Sequence, residues 1–130
     1  MSSRLPLRHP RVWLAVGWGL VALAILASLL PAQELPSVGG GDKLHHAAAY
    51  MVLSLWFSGI YPKSRYVHIG VGLFLLGIAI EWAQGAMHYG RESDPYDVLA
   101  NALGVVAGLL AAHFGLGGWA ARVERVILKT

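Results

Sequence analysis

The chain contains no cysteine and few charged residues, and both shortages narrow what it can be. Without cysteine it has no disulfide, no thiolate metal site and no cysteine nucleophile. Only 13% of its 130 residues are charged and 56% are hydrophobic, whereas a typical soluble domain has roughly 25% charged residues. The composition therefore favours a membrane protein of one domain over an ordinary soluble domain.

Acidic residues are scarcer than basic ones, with seven Asp and Glu against ten Lys and Arg and a formal net charge of +3. A basic chain can bind nucleic acid, but here the positive residues lie in separate short segments between apolar runs. That distribution is typical of membrane topology, because positive loops set the orientation of the spans. We therefore expect the lipid bilayer as the partner of this chain, and not nucleic acid.

Four apolar runs are long enough to cross a bilayer as helices, for which about 20 residues suffice. We predict an all-α, polytopic membrane protein with four transmembrane helices in a bundle, all within a single domain, 1–130. The spans are predicted at roughly 12–30, 44–61, 66–84 and 97–114. A cleaved signal peptide is the competing interpretation of the first run. Its 19 uncharged residues exceed the roughly 7–15 apolar residues of a signal peptide, so we expect a retained helix.

The distribution of Lys and Arg predicts the orientation of these spans. The N-terminus, the turn at 62–65 and the C-terminal tail share one side, which carries eight of the ten Lys and Arg. The other side carries Lys43 and Arg91. Since positive segments stay in the cytoplasm, we expect both termini there and the protein in the bacterial inner membrane. The segment 119–129 has an apolar and a basic face. This pattern is typical of a helix that lies on an anionic leaflet, but a short solvated segment after the last span also fits it.

Polar residues lie on one face of each of three predicted helices, at the ends expected to face outward. They are Asp42, His46 and Tyr50 on the second helix, Glu81, Gln84 and His88 on the third, and Asp97 and Asn101 on the fourth. Their spacings, close to whole helical turns, put each set on one side of its helix. Since polar groups in lipid need partners, we predict that the three faces meet in one polar pocket.

Local roles compete with a shared site for some of these residues. Asp42, which follows three glycines, and Asp94, which precedes a proline, are each in position to cap a helix N-terminus. Capping explains Asp97 less well, and it does not explain Asn101 or Tyr50, which lie further inside their helices.

Glu81 lies within an apolar run, so we expect it to be buried and paired with Lys43 or Arg91. Two small residues, Gly104 and Gly108, continue the stripe of the fourth helix inward. Glycines four residues apart let another helix approach closely, so this stripe predicts packing inside the bundle.

Taken together, these positions resemble the VanZ-like family, small bacterial membrane proteins named after a teicoplanin resistance protein. The similarity spans residues 42–112 in three blocks. They are Asp42-Lys43-x-x-His46-x-x-x-Tyr50, Glu81-x-x-Gln84, and Arg91-x-Ser93-x-x-x-Asp97-x-x-x-Asn101-x-x-Gly104-x-x-x-Gly108. The resemblance implies a polytopic inner-membrane protein whose signature polar positions are Asp42, Lys43, His46, Tyr50, Glu81, Gln84, Arg91, Asp97 and Asn101. It implies no settled reaction, and glycopeptide resistance belongs to the namesake.

Three functions fit these residues. The first is binding of a polar or phosphorylated head group, of an envelope lipid or precursor, by the outer-side cations Lys43 and Arg91. The second is a membrane enzyme in which His46 works with Asp42, Glu81 or Asp97 in metal binding or acid–base catalysis. The third is a scaffold or partner subunit in which the polar residues fix helix packing. The chain has no compact metal or nucleophile motif, so we favour the first and expect neither cofactor nor metal.

Overall fold

The computed structural model describes residues 4–29, 42–87 and 95–128. These ranges contain five α-helices and no strand, so the predicted all-α class is confirmed. The helices are α1 Pro10–Leu29, α2 Asp42–Ser58, α3 Tyr66–Met87, α4 Pro95–Ala111 and α5 Trp119–Leu128. A 3₁₀ turn, Lys63–Arg65, leads into α3, and a π-helical turn, Ala112–Leu116, follows α4.

Within the described residues, three helical segments are long and apolar enough to cross a membrane: Pro10–Leu29, Lys63–Ala86 and Pro95–Leu116. Large apolar side chains on their outer faces are more than half exposed, among them Leu23 at 60% and Leu103 at 60%. Such wide apolar exposure suits a lipid surface and not water. The membrane character predicted from composition is therefore supported. α2 has only 17 residues, so the fourth span stays a prediction.

Close contact between α2 and α4 forms the centre of the bundle. Two glycines of α4 permit it. A Cβ atom at Gly104 would collide with the Ala47 carbonyl oxygen of α2, and one at Gly108 would collide with Ser54 Oγ. Small residues at such crossings let two helix backbones approach and gain van der Waals contact. The stripe singled out in the sequence thus lies at the tightest point between α2 and α4.

The bundle has two chemically different ends, because successive helices run in opposite directions. At the polar end, α1 and α3 finish while α2 and α4 begin, and Gln84 Nε2 donates to the Ser28 carbonyl at 2.6 Å. At the basic end lie the segment 4–9, the turn at 62–65 and α5. There the Gly118 N–H donates to the Ser58 carbonyl at 3.0 Å. The described polar residues predicted to share a site therefore lie at one end.

Three tryptophans from α1, α2 and α5 form a cluster at the basic end. The ring centroids of Trp13, Trp56 and Trp119 lie 5.0 to 5.8 Å apart. The Trp56 indole donates to the Trp13 carbonyl at 2.9 Å, and the Trp119 indole donates to the Leu55 carbonyl at 2.6 Å. Aromatic pairs of this kind contribute about 0.5–1.5 kcal/mol beyond their buried area. These side chains therefore join α5 to the bundle.

Glu124 of α5 fastens the N-terminal segment to the basic end. Its buried carboxylate accepts the Arg8 N–H at 2.7 Å, the His9 N–H at 3.0 Å and the Trp13 indole N–H at 2.8 Å. The backbone donors lie at the start of α1, where the helix dipole also favours a negative charge. Sequence reasoning assigned Glu124 no role, since its partners lie 111 to 116 residues away along the chain.

Acid is expected to weaken this attachment. Burial alone would raise the pKa of Glu124, but the hydrogen bonds from Arg8, Trp13 and His9 outweigh it and hold the pKa below its ordinary value of 4.5. A lowered folded-state pKa stabilises the fold above the ordinary value, and this stabilisation is lost as the pH falls through the folded-state pKa. We expect the thermal midpoint in detergent to fall on acidification below about pH 4.5.

Glu124→Gln provides the control for that titration. At neutral pH it should cost on the order of 1 kcal/mol, because charged acceptors are stronger than amides. Its midpoint should then respond less to acid than the wild-type midpoint does. An equal response of both proteins would show that Glu124 does not control the acid sensitivity.

The segment with helical spacing at 119–129 is helical over Trp119–Leu128, as α5, and its placement on an anionic leaflet stays a prediction. Ala120 and Glu124 are buried, whereas Val126 and Ile127 are 78% and 70% exposed. The Trp119 and Glu124 contacts set the rotation of α5, which leaves part of the apolar face outside. Lys129 lies outside the described residues.

Candidate polar site between three helices

Seven of the nine predicted polar positions have side chains that the structure describes. They are Lys43, His46, Tyr50, Glu81, Gln84, Asp97 and Asn101, called the polar cluster below. The Asp42 side chain and all of Arg91 lie outside the described residues, as do His88 and Asp94. The predicted capping roles of Asp42 and Asp94 therefore stay predictions.

Asp97 lies at the centre of the polar cluster. It occupies the first turn of α4, where the helix N-terminus favours a carboxylate. Its Oδ1 pairs with the Lys43 ammonium, and its Oδ2 lies 3.7 Å from His46 Nε2. The Asp97 side chain is 7% exposed and that of Lys43 is 45% exposed. The pair therefore combines a buried aspartate with a lysine side chain that reaches the surface.

His46 joins Asp97 to the next layer of the cluster. Its Nδ1 lies 3.0 Å from Asn101 Oδ1. An amide oxygen only accepts, so Nδ1 carries the hydrogen and Nε2 is turned toward Asp97. His46 comes three residues after Lys43 on α2, and Asn101 comes four residues after Asp97 on α4. Each polar contact between α2 and α4 is therefore followed by another about one helical turn further along.

A third layer adds α3 to the cluster. A Cβ atom at Gly77 would lie 3.1 Å from Asn101 Nδ2 and 3.7 Å from Tyr50 Oη, so this glycine lets α3 close over both side chains. Glu81, one turn further along α3, is 5% exposed, so it lies on the same inward face of α3 as Gly77. The structure therefore brings together residues from all three predicted faces.

Gln84 turns toward α1 and connects the cluster to the first helix. It is 3% exposed, and its Nε2 donates to the Ser28 carbonyl at 2.6 Å. Its Oε1 is buried and has no hydrogen-bond partner among the described residues. A buried acceptor without a donor costs about 1–3 kcal/mol, so such atoms usually meet a water or a ligand. Gln84 Oε1 can therefore accept a hydrogen bond from a donor that the described residues do not supply.

The cluster combines one exposed cation with buried acids and amides. Lys43 pairs with Asp97, Arg91 lies outside the described residues, and the predicted pairing of Glu81 with Lys43 or Arg91 stays a prediction. No group of three or more His, Asp or Glu within 4–29, 42–87 and 95–128 is arranged to hold a metal ion. The chemistry available here is electrostatic attraction by Lys43 together with hydrogen bonding by the imidazole and amide groups.

Comparison with known proteins adds no relative: no protein-family model, curated protein or solved structure matches this chain. The similarity to the VanZ-like family remains a prediction that rests on residues 42–112.

Proposed function

We propose that this chain is a VanZ-like integral membrane protein whose polar cluster binds the head group of an envelope lipid or lipid-linked precursor. The observation that carries the proposal is the Lys43–Asp97 pair, in which the Lys43 side chain is 45% exposed and the Asp97 side chain is 7% exposed. Removing a carboxylate from water is costly, and polar groups at this depth in membrane proteins usually serve a function. Lysine binds phosphate as a point charge.

In this proposal α1 to α4 all span the bacterial inner membrane, with both termini in the cytoplasm and the polar end outside. Eight of the ten Lys and Arg belong to the basic end by their positions in the chain, which supports this orientation. The 17 residues of α2 extend about 26 Å as a helix, slightly less than the roughly 30 Å of a hydrocarbon core. Its polar first turn would then lie at the depth of the lipid head groups.

The chemistry of the cluster indicates the class of ligand. An anionic group would lie beside Lys43, and a hydroxyl or amine donor would reach Gln84 Oε1. The acyl chains would run along the lipid-facing sides of the helices. A phosphorylated head group that also carries hydroxyls offers both kinds of polar contact. The family's namesake gives glycopeptide resistance. The same role would follow for this chain only if its ligand is a cell-wall precursor.

Native mass spectrometry of the purified protein with its co-purified lipids tests this function. We expect wild type to retain a phosphorylated lipid and Lys43→Met to retain it at about tenfold lower occupancy or less. The reason is that a hydrogen bond to a charged group contributes about 1.5–3 kcal/mol, and 1.4 kcal/mol is tenfold in affinity. Lys63→Met is the matched control, since it removes the same side chain from an exposed position at the basic end.

Each outcome of that comparison has a separate meaning. Loss of the lipid in Lys43→Met alone, with the protein still folded as judged by its thermal transition, supports binding at the polar cluster. Equal retention by all three proteins would contradict the role of Lys43. Equal loss in both lysine variants would indicate general attraction between a basic protein and anionic lipid, and not a site.

A further inference from the structure

A groove of about 490 Å³ lies between α1, α2 and α3, apart from the polar cluster. Trp18 and Phe57 form one wall, with ring centroids 5.4 Å apart. Ile69 and Leu73 of α3 line the opposite side. The volume falls within the roughly 300–1,000 Å³ of small-molecule sites. The walls are mostly apolar, so the groove suits a hydrocarbon ligand.

The chemistry of the groove changes along α3. Leu76 lies at its inner end, while Arg65 and His68 lie at the basic end. Leu76 comes eleven positions after Arg65, a separation of about 16 Å along a helix. That length is about half of the roughly 30 Å hydrocarbon core of a bilayer. The groove therefore has the depth of one leaflet, with its polar mouth at the basic surface.

Arg65 gives the mouth of the groove its charge. Its side chain is exposed, and its guanidinium forms no salt bridge with a described carboxylate. A guanidinium binds phosphate through two parallel hydrogen bonds. The neighbouring His68 adds an imidazole N–H donor. An anionic group is therefore the complement of this end of the groove.

Gly72 keeps the middle of the groove open. A Cβ atom at this position would meet no atom within 4 Å. Glycine is unfavourable inside a helix by about 1 kcal/mol relative to alanine, and no contact of α3 with a neighbour requires it here. A side chain at Gly72, which lines the groove, would therefore take up space in it.

We propose that this groove holds one acyl chain of an anionic phospholipid from the leaflet at the basic end, with the phosphate at Arg65 and His68. This site goes beyond the proposed head-group function. It lies toward the opposite end of the bundle and uses no residue of the polar cluster. Lipid bound here would cover an otherwise open crevice between α1 and α3.

Titration of the detergent-purified protein with phosphatidylglycerol or phosphatidylcholine of identical acyl chains, followed by native mass spectrometry, tests the groove. We expect wild type to bind phosphatidylglycerol about tenfold more tightly, which is the fold-change expected from a charge-assisted hydrogen bond. Gly72→Leu fills the groove and should lose this bound lipid. Gly19→Leu is the matched control, because its Cβ position is equally free of neighbours within 4 Å and lies outside the groove.

A second pair of variants tests the mouth without filling the groove. Arg65→Gln should reduce phosphatidylglycerol binding to the level of phosphatidylcholine, whereas Lys63→Gln, two residues away, should not. Wild-type binding by Gly72→Leu, equal loss in both glycine variants, or equal loss in Arg65→Gln and Lys63→Gln would each overturn the proposal.

Discussion

Replacing Lys43 by methionine is expected to destabilise the protein more than replacing Asp97 by asparagine, although both changes break the same ion pair. Lys43→Met leaves an Asp97 side chain that is 7% exposed without its cation, whereas Asp97→Asn leaves a lysine whose side chain is 45% exposed and can turn its ammonium to water. We expect losses of roughly 2–4 kcal/mol and roughly 1 kcal/mol, because an uncompensated buried charge is the costly outcome. Unfolding free energies in mixed micelles measure both.

The double variant Lys43→Met/Asp97→Asn identifies the cause of that difference. Since it removes both charges, we expect its stability to lie close to that of Asp97→Asn alone. Residues in direct contact are expected to deviate from additivity in this way. If the loss in the double variant equals the sum of the two single losses, the ion pair has no energetic role in the fold.

Gly108→Val is expected to separate α2 from α4 and to destabilise the bundle by about 1–3 kcal/mol or more. The first side-chain carbon would collide with Ser54 Oγ and lie 2.9 Å from the Met51 carbonyl oxygen. Ser54 is fully buried and the carbonyl belongs to a helix backbone, so neither group can move away without shifting α2. Thermal unfolding in detergent measures the loss.

Gly19→Val is the matched control for this substitution. It makes the same chemical change in a membrane helix, at a position where a Cβ atom meets nothing within 4 Å. We expect its thermal midpoint to stay near that of wild type. Equal midpoints for both variants would show that α2 and α4 tolerate a wider separation than their contact implies. Since Lys43 and Asp97 face each other across this contact, Gly108→Val should also weaken lipid retention.

Much of this architecture could be predicted from the sequence, because two simple features determine it: the length of the apolar runs and the helical spacing of the polar residues. Charge-free runs of membrane length predicted where α1 to α4 lie. Helical spacing placed His46 on one face of α2 and Asn101 on one face of α4. Apolar surroundings then require such faces to find each other. The meeting of His46 and Asn101 at 3.0 Å follows from that reasoning.

Other contacts could not be predicted from the sequence, because they are made to backbone groups. Glu124 binds the backbone N–H groups of Arg8 and His9, and Gln84 binds the backbone carbonyl of Ser28. Every residue carries such backbone groups, so no side-chain pattern reveals which of them is used. The choice of Asp97 as the partner of Lys43 depends on how far each helix is rotated about its axis. Spacing along the sequence does not determine that rotation.

Lipid retention by the Lys43→Met/Asp97→Asn protein tests the proposed function most directly, because this variant lacks the surface cation while keeping most of its stability. We predict that Asp97→Asn, which retains Lys43, keeps the phosphorylated lipid in native mass spectra and that the double variant loses it. Retention of the same lipid at wild-type occupancy by the double variant would contradict binding through Lys43. The polar cluster would then be a structural element that fixes the packing of α2, α3 and α4.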